Sequence, residues 1–289
     1  MHSKHNRKSR GSQLISFARD SYLERTSRPI YAIWYLLVFI LLYEVGTFLS
    51  GTDALSVSLQ ASQRRVVTFV WVRDFLEYAG FSSRMSWMAP PFVVVVILLA
   101  FQITSRTRWK VRFSDFVVMT AECVLLSLPL IVLSLIINRP ADVNWSAIQA
   151  QADAAVETVR PGGAGLWADI VTGIGAGIYE ELVFRLILIS VLMIALQDVL
   201  RLDREPAIIF SVLISSLLFS VHHHFFFANG RLETIDAFLW SKFIFRMLAG
   251  VYFAALYAVR GFGIAAGTHA FYDILAAVLN AAFFSAPEA

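Results

Sequence analysis

Seven apolar runs, each about as long as a hydrocarbon core is thick, leave this chain few folds to choose from. They are Ile30–Leu49, Trp87–Ile103, Phe116–Ile137, a span within Gly165–Leu200, Ala207–Phe227, Ala237–Val259 and Phe262–Phe284. In lipid the backbone must satisfy its own hydrogen bonds, so such segments are helices or strands of a closed barrel. Barrel strands alternate in polarity over about 10 residues, and a run such as Val93–Phe101 (VVVVILLAF) does not alternate. The expected fold is an all-α, polytopic membrane helix bundle of seven spans. An eighth candidate, Val66–Phe81, holds Arg73, Asp74 and Glu77 among apolar residues at helical spacing, and reads as an amphipathic interfacial helix near 64–81.

Composition agrees. Apolar residues make up 58% of the chain and charged residues 16%, with a mean hydropathy of +0.66. A soluble domain averages about 45–50% and about 25%. So apolar a chain is not disordered. A net charge of +3, with no basic face, predicts no nucleic-acid partner. The single cysteine, Cys123, excludes an intramolecular disulfide and a multi-cysteine metal site.

Basic residues in short flanking segments set orientation. The segment 1–29 carries Lys4, Arg7, Lys8, Arg10, Arg19, Arg25 and Arg28. Arg106, Arg108, Lys110 and Arg112 follow two spans later, and Arg201 with Arg204 two spans after that. The pattern predicts a cytoplasmic N-terminal tail and, with seven spans, an external C-terminus. Residues 30–137 form the N-terminal membrane helices. Residues 138–164, bounded by Pro140 and Pro161-Gly162-Gly163, are expected as an extracytoplasmic loop with a surface helix across Trp145–Val159. Residues 165–285 form a second membrane unit.

Ionisable groups in a membrane span are costly and point to function. They concentrate in that second unit, as Glu180, Glu181, Arg185, His222, His223, His224, Lys242, Arg246, His269 and Asp273. On a helix Glu181 and Arg185 are i,i+4 neighbours and form a structural pair. Glu180, rotated about 100° away, has no partner on its own helix, which suits a general base. Equally, these acids could neutralise Lys242 or Arg246. Consecutive helical residues diverge, so His222, His223 and His224 are not expected to face one centre. Phe219 and His223 share a face. His269 and Asp273 also share one, as a hydrogen-bonded pair or as metal ligands. Gly173, Gly175, Gly177, Gly263 and Gly267 would allow close helix packing.

Three motifs in order, Glu180-Glu181…Arg185, Phe219…His223 and His269…Asp273, resemble the CPBP intramembrane proteases (CAAX-prenyl-protein and bacteriocin processing, also called the abortive-infection family). Their pattern is E-E-x-x-x-R, F-x-x-x-H and H-x-x-x-N/D. The resemblance covers about Gly165–Phe284. It implies hydrolysis of a peptide bond in a membrane-associated protein or peptide, at the bilayer and in a bacterial cytoplasmic membrane. It further implies that Glu180 and His223 activate a water and that His269 with Asp273 stabilises the oxyanion. No cofactor is required on this reading. In a zinc-dependent version His223, His269 and Glu180 would be the ligands, although no H-E-x-x-H signature is present. Leu186 stands where many members have Gly, and Asp273 where prenyl-processing members have Asn. Spans drawn from hydropathy set Glu180, His223 and His269 at different depths. The competing reading is a non-enzymatic transporter, proton relay or scaffold.

Overall fold

The computed structural model describes residues 17–49, 67–137, 165–228, 231–234 and 238–283. The expected surface helix across Trp145–Val159, most of the basic tail and residues 284–285 lie outside the described residues. The described chain forms α1 (Tyr22–Thr26), α2 (Pro29–Leu49), α3 (Val67–Tyr78), α4 (Ser83–Ser105) and α5 (Ser114–Ile137). The long helix α6 (Gly165–Val199), α7 (Arg204–His222), α8 (Trp240–Arg260) and α9 (Phe262–Phe283) follow. Six of these helices are long and apolar enough to cross a membrane, and a shorter apolar stretch, Ala89–Ser105 within α4, makes a seventh. The protein is an integral membrane helix bundle.

The only strands among the described residues form a hairpin between α7 and α8. Its strands are β1 (Phe225–Ala228) and β2 (Arg231–Thr234), paired antiparallel from Phe225↔Thr234 to Ala228↔Arg231. The span expected at Ala207–Phe227 therefore ends at His222, and the next begins at Trp240 rather than Ala237. Hydropathy alone could not separate the Phe225–Phe227 run from the helix before it. Asn229-Gly230 was the missed signal, because Asn-Gly favours the two-residue turn of a hairpin.

At the basic-loop end, polar side chains fasten the helix termini. Arg25 of α1 donates from Nε and Nη2 to Asp115 at the start of α5, each at 2.9 Å, and the Tyr31 hydroxyl donates to the same carboxylate. Arg260, the last residue of α8, donates to Glu122 at 2.6 and 2.8 Å and to Thr26 Oγ1 at 2.9 Å. Tyr22 OH completes the Glu122 shell at 2.6 Å. The acid in mid-α5 is thus neutralised by Arg260 of α8 and hydrogen-bonded by Tyr22 of α1.

Two features set the depth of the centre. Leu200–Asp203 connects α6 to α7 directly, making them antiparallel neighbours. Glu180 and His222 lie at similar chain distances on either side of that connection, and their side chains stand level, His222 Nε2 being 3.6 Å from Glu180 Oε1. This removes the depth mismatch expected for Glu180 and His223. The other feature is the glycine face of α6. A Cβ on Gly177 would lie 2.6 Å from Ala270 N, and one on Gly173 would lie 2.6 Å from Asp273 Cβ. Gly175 faces the opposite way, onto the Tyr43 ring of α2. Bare backbone at Gly173 and Gly177 lets α9 approach closely enough to bring His269 to the glutamates.

α3 corresponds to the amphipathic segment expected near 64–81, with Phe75 and Tyr78 exposed. It does more than lie on the surface. Phe69 packs edge-on to Tyr179 at 5.0 Å, and the Trp71 ring lies 5.9 Å from the His222 ring.

Gly177→Val should force α9 off α6, at the roughly 1–3 kcal/mol typical of overpacking. Thermal unfolding in detergent should show the loss, and Gly165→Val, where a Cβ meets nothing within 4 Å, should show none.

Candidate active site

Glu180 and Glu181 are the last α-helical residues before α6 changes pitch. Leu182–Leu188 is wound as π-helix, and so is Ala195–Val199. Such wide turns are rare and concentrate at functional sites. At Phe184, inside the first of them, the carbonyl accepts a hydrogen bond from Ser215 Oγ of α7 at 2.7 Å, so a side chain from the neighbouring helix bonds the backbone there.

Arg185 lies in that wide turn and is fully buried. Its Nη1 is 3.1 Å from Glu181 Oε1, as the i,i+4 spacing predicts, and Nη2 donates to Gly250 O of α8 at 3.3 Å. Its guanidinium sits 4.2 Å from the Phe219 ring centroid. The same Glu181 oxygen is 2.8 Å from His269 Nδ1. This second contact was not expected. The one-turn spacing predicts Asp273 as the partner of His269, but His269 Nε2 is 3.7 Å from Asp273 Oδ2, too long for a hydrogen bond. Glu181 is nearer because the glycine face draws α9 against α6. The His269 ring also stacks on Phe253 of α8, 4.4 Å between centroids and 16° from parallel.

Glu180 is almost fully buried and is ringed by three imidazoles. His222 Nε2 is 3.6 Å from Oε1, and His223 Nε2 and His269 Nε2 are 3.7 and 3.8 Å from Oε2. The expectation that consecutive histidines diverge fails here. His222 ends α7, and His223 caps it at φ −77°, ψ −17°. Both rings turn back on the same carbonyl, with Nδ1 2.6 and 2.8 Å from Phe219 O. Their ring centroids are only 4.0 Å apart. The 100° rule holds for side-chain origins on a regular helix, but a shared acceptor at a helix end can gather two rings. His224 takes another direction, its Nε2 3.4 Å from Arg246 Nη1. His222 is thus the residue that sequence reasoning left out of the site.

Partner chemistry fixes the tautomers. Phe219 O can only accept, so Nδ1 of His222 and of His223 carries a proton. A carboxylate likewise draws the Nδ1 proton of His269. With Nδ1 protonated, neutral His222 and His223 present two Nε2 lone pairs toward Glu180, and the Nε2 of His269 completes the ring around it. Oε2 of Glu180 is itself buried without a hydrogen-bond partner in the structure. The pocket is a convergence of acceptors, built to take a hydrogen-bond donor or a cation.

Both fit. The ligand atoms of Glu180, His222 and His223 lie within 4.8 Å of one another. Imidazoles held at Nδ1 by an oxygen, with Nε2 directed inward, are the arrangement zinc-binding histidines use. The donor set matches a zinc site of three protein ligands, with His222 in the place where sequence reasoning put His269.

Residues 162–275 match the family model described as Rce1-like, type II CAAX prenyl endopeptidase. Over this segment the chain is similar to that family. No curated protein and no solved structure matches it. The matched segment takes in the glycine face of α6, runs through Asp273 and holds every residue of the polar centre. Together with the membrane helices it supports a role of the intramembrane-protease kind.

Glu181→Leu should be strongly destabilising, by about 3–5 kcal/mol, because it leaves the buried Arg185 without its counter-charge. Glu181→Leu combined with Arg185→Met should recover part of that loss in thermal unfolding. If the double variant is no more stable than the single, the pair is not what holds this helix.

Proposed function

We propose that the protein is an intramembrane endopeptidase that hydrolyses a peptide bond in a membrane-associated protein or peptide, with water as nucleophile and Glu180 as general base. One observation carries the reading: a buried carboxylate surrounded by three imidazoles whose Nε2 atoms all face it. A water entering that shell meets acceptors for both its protons, and its oxygen lone pairs are left for attack.

On this reading Glu180 takes one proton from the water while the oxygen adds to the scissile carbonyl carbon. His222 and His223, anchored on Phe219 O, share the water's other proton as acceptors and orient it. The electron pair displaced from the C=O bond moves to the carbonyl oxygen. His269, protonated on both nitrogens, donates from Nε2 to that oxyanion. Its Nδ1–H stays on Glu181, much as the aspartate of a catalytic triad holds its histidine. Asp273, 3.7 Å from Nε2, adds a second negative charge beside the imidazolium. Glu180 then gives its proton to the amine nitrogen, the pair on the oxyanion re-forms the C=O bond, and the C–N bond breaks to release the amine and the acid.

If the enzyme uses zinc, Glu180, His222 and His223 would hold it, and the ion would supply acidification of a bound water. Glu181, Arg185 and His269 keep the same tasks in either case. The basic segments at one end of the bundle support the further proposal that this end faces the cytoplasm, in a bacterial cytoplasmic membrane.

Glu180→Gln should abolish cleavage of a co-reconstituted membrane peptide while leaving thermal stability near that of the unaltered protein. Full activity of this variant would overturn the assignment. Chelation with a metal assay divides the two versions. Unchanged cleavage with far less than one zinc per chain is the expected result. Activity lost to the chelator and restored by zinc would make His222 and His223 ligands.

A further inference from the structure

The hairpin begins two residues after His223. Its register fixes which backbone groups are spoken for. With only two residues between Ala228 and Arg231, that pair closes the turn and exchanges hydrogen bonds. In an antiparallel ladder bonded and non-bonded pairs alternate. Phe226↔Glu233 is therefore bonded, while Phe225↔Thr234 and Phe227↔Leu232 are not. The N–H and C=O of Phe225 and of Phe227 thus point away from β2. The sheet has two strands, and no other strand pairs with β1 among the described residues.

Such an edge is expensive at a membrane, where backbone polar groups without partners cost several kcal/mol each. The two strands also differ. β2 includes Arg231 and Glu233, the kind of residues that discourage strand addition, whereas β1 reads Phe-Phe-Phe-Ala. A protease must hold the bond to be cut in an extended backbone, and an open edge next to the reacting groups provides the template for one. At about 3.3 Å per strand residue, the outward groups of Phe225 lie within about 7 Å of His223 along the chain.

We propose that β1 is the substrate-binding strand: an extended segment of the peptide substrate pairs with the outward N–H and C=O groups of Phe225 and Phe227, which sets the scissile carbonyl beside His223 and Glu180. The proposal rests on the protease reading and adds to it the form in which substrate is held. Pairing to backbone makes recognition tolerant of substrate sequence near the cut. It also demands a substrate stretch free to leave helical conformation.

The test is a backbone N-methyl scan of a peptide that the reconstituted protein cleaves. Cleavage of the unmodified peptide comes first, and its absence would sink the protease reading rather than this one. Losing one strand hydrogen bond, and adding a methyl at the edge, should lower kcat/KM by about tenfold or more. Strand pairing predicts that loss at alternate positions, with little change at the positions between. A flat profile, or a loss only at the scissile amide, would overturn the proposal. A chain variant gives a second readout. Phe227→Pro removes an outward N–H and leaves the β1–β2 ladder bonds intact, so kcat/KM should fall with little change in thermal stability. Phe226→Pro removes a ladder bond and should destabilise the hairpin itself. Should Phe227→Pro fail to fold, the N-methyl scan decides alone.

Discussion

One carboxylate oxygen, Oε1 of Glu181, joins the two halves of the polar centre. It meets Arg185 on its own helix at 3.1 Å and His269 on α9 at 2.8 Å. Both partners are buried, and each borders a Phe ring, Phe219 for Arg185 and Phe253 for His269. Charges in such surroundings persist only when paired. Removing Glu181 would strand a guanidinium and free an imidazole in one step. The proposed chemistry of Glu180, His222 and His223 stands on that support, because His269 must keep a fixed ring orientation to act beside them.

Close packing makes the contact possible. The glycines of α6 admit α9 on one side and the Tyr43 ring of α2 on the other. The polar network of Arg25, Asp115, Glu122 and Arg260 fixes the opposite ends of α1, α5 and α8. The bundle is thus tied by charge at its basic-loop end and by steric fit at the level of Glu180. At that level the α-helix ends at Glu181 and gives way to π-helix, which holds Arg185. The i,i+4 pair survives the change of pitch, since four residues of π-helix still return close to the same face.

Much of this was legible in the sequence. Hydropathy found the membrane helices, and the spacing of Glu181 and Arg185 foretold their pair. The glycines marked faces for close helix packing, of which Gly173 and Gly177 meet α9 while Gly175, Gly263 and Gly267 face other helices. What sequence missed is instructive. Regular helical geometry separates His222 from His223, yet a helix terminus with one shared carbonyl gathers both rings. Asp273 is one turn from His269 on the same helix, but Glu181 on another helix is nearer, and sequence distance carries no information about that. The hairpin vanished into an apolar run because Phe-Phe-Phe is as hydrophobic in a strand as in a helix.

The central claim is that water held by Glu180 and the imidazoles attacks the peptide carbonyl directly. Isotope incorporation in a single turnover tests it. With enzyme in excess over a membrane peptide in 18O-water, direct attack puts one 18O into the new carboxyl group of the product. A first-turnover product whose carboxyl carries no label would mean that an enzyme carboxylate had attacked and formed a covalent intermediate, and would contradict the account.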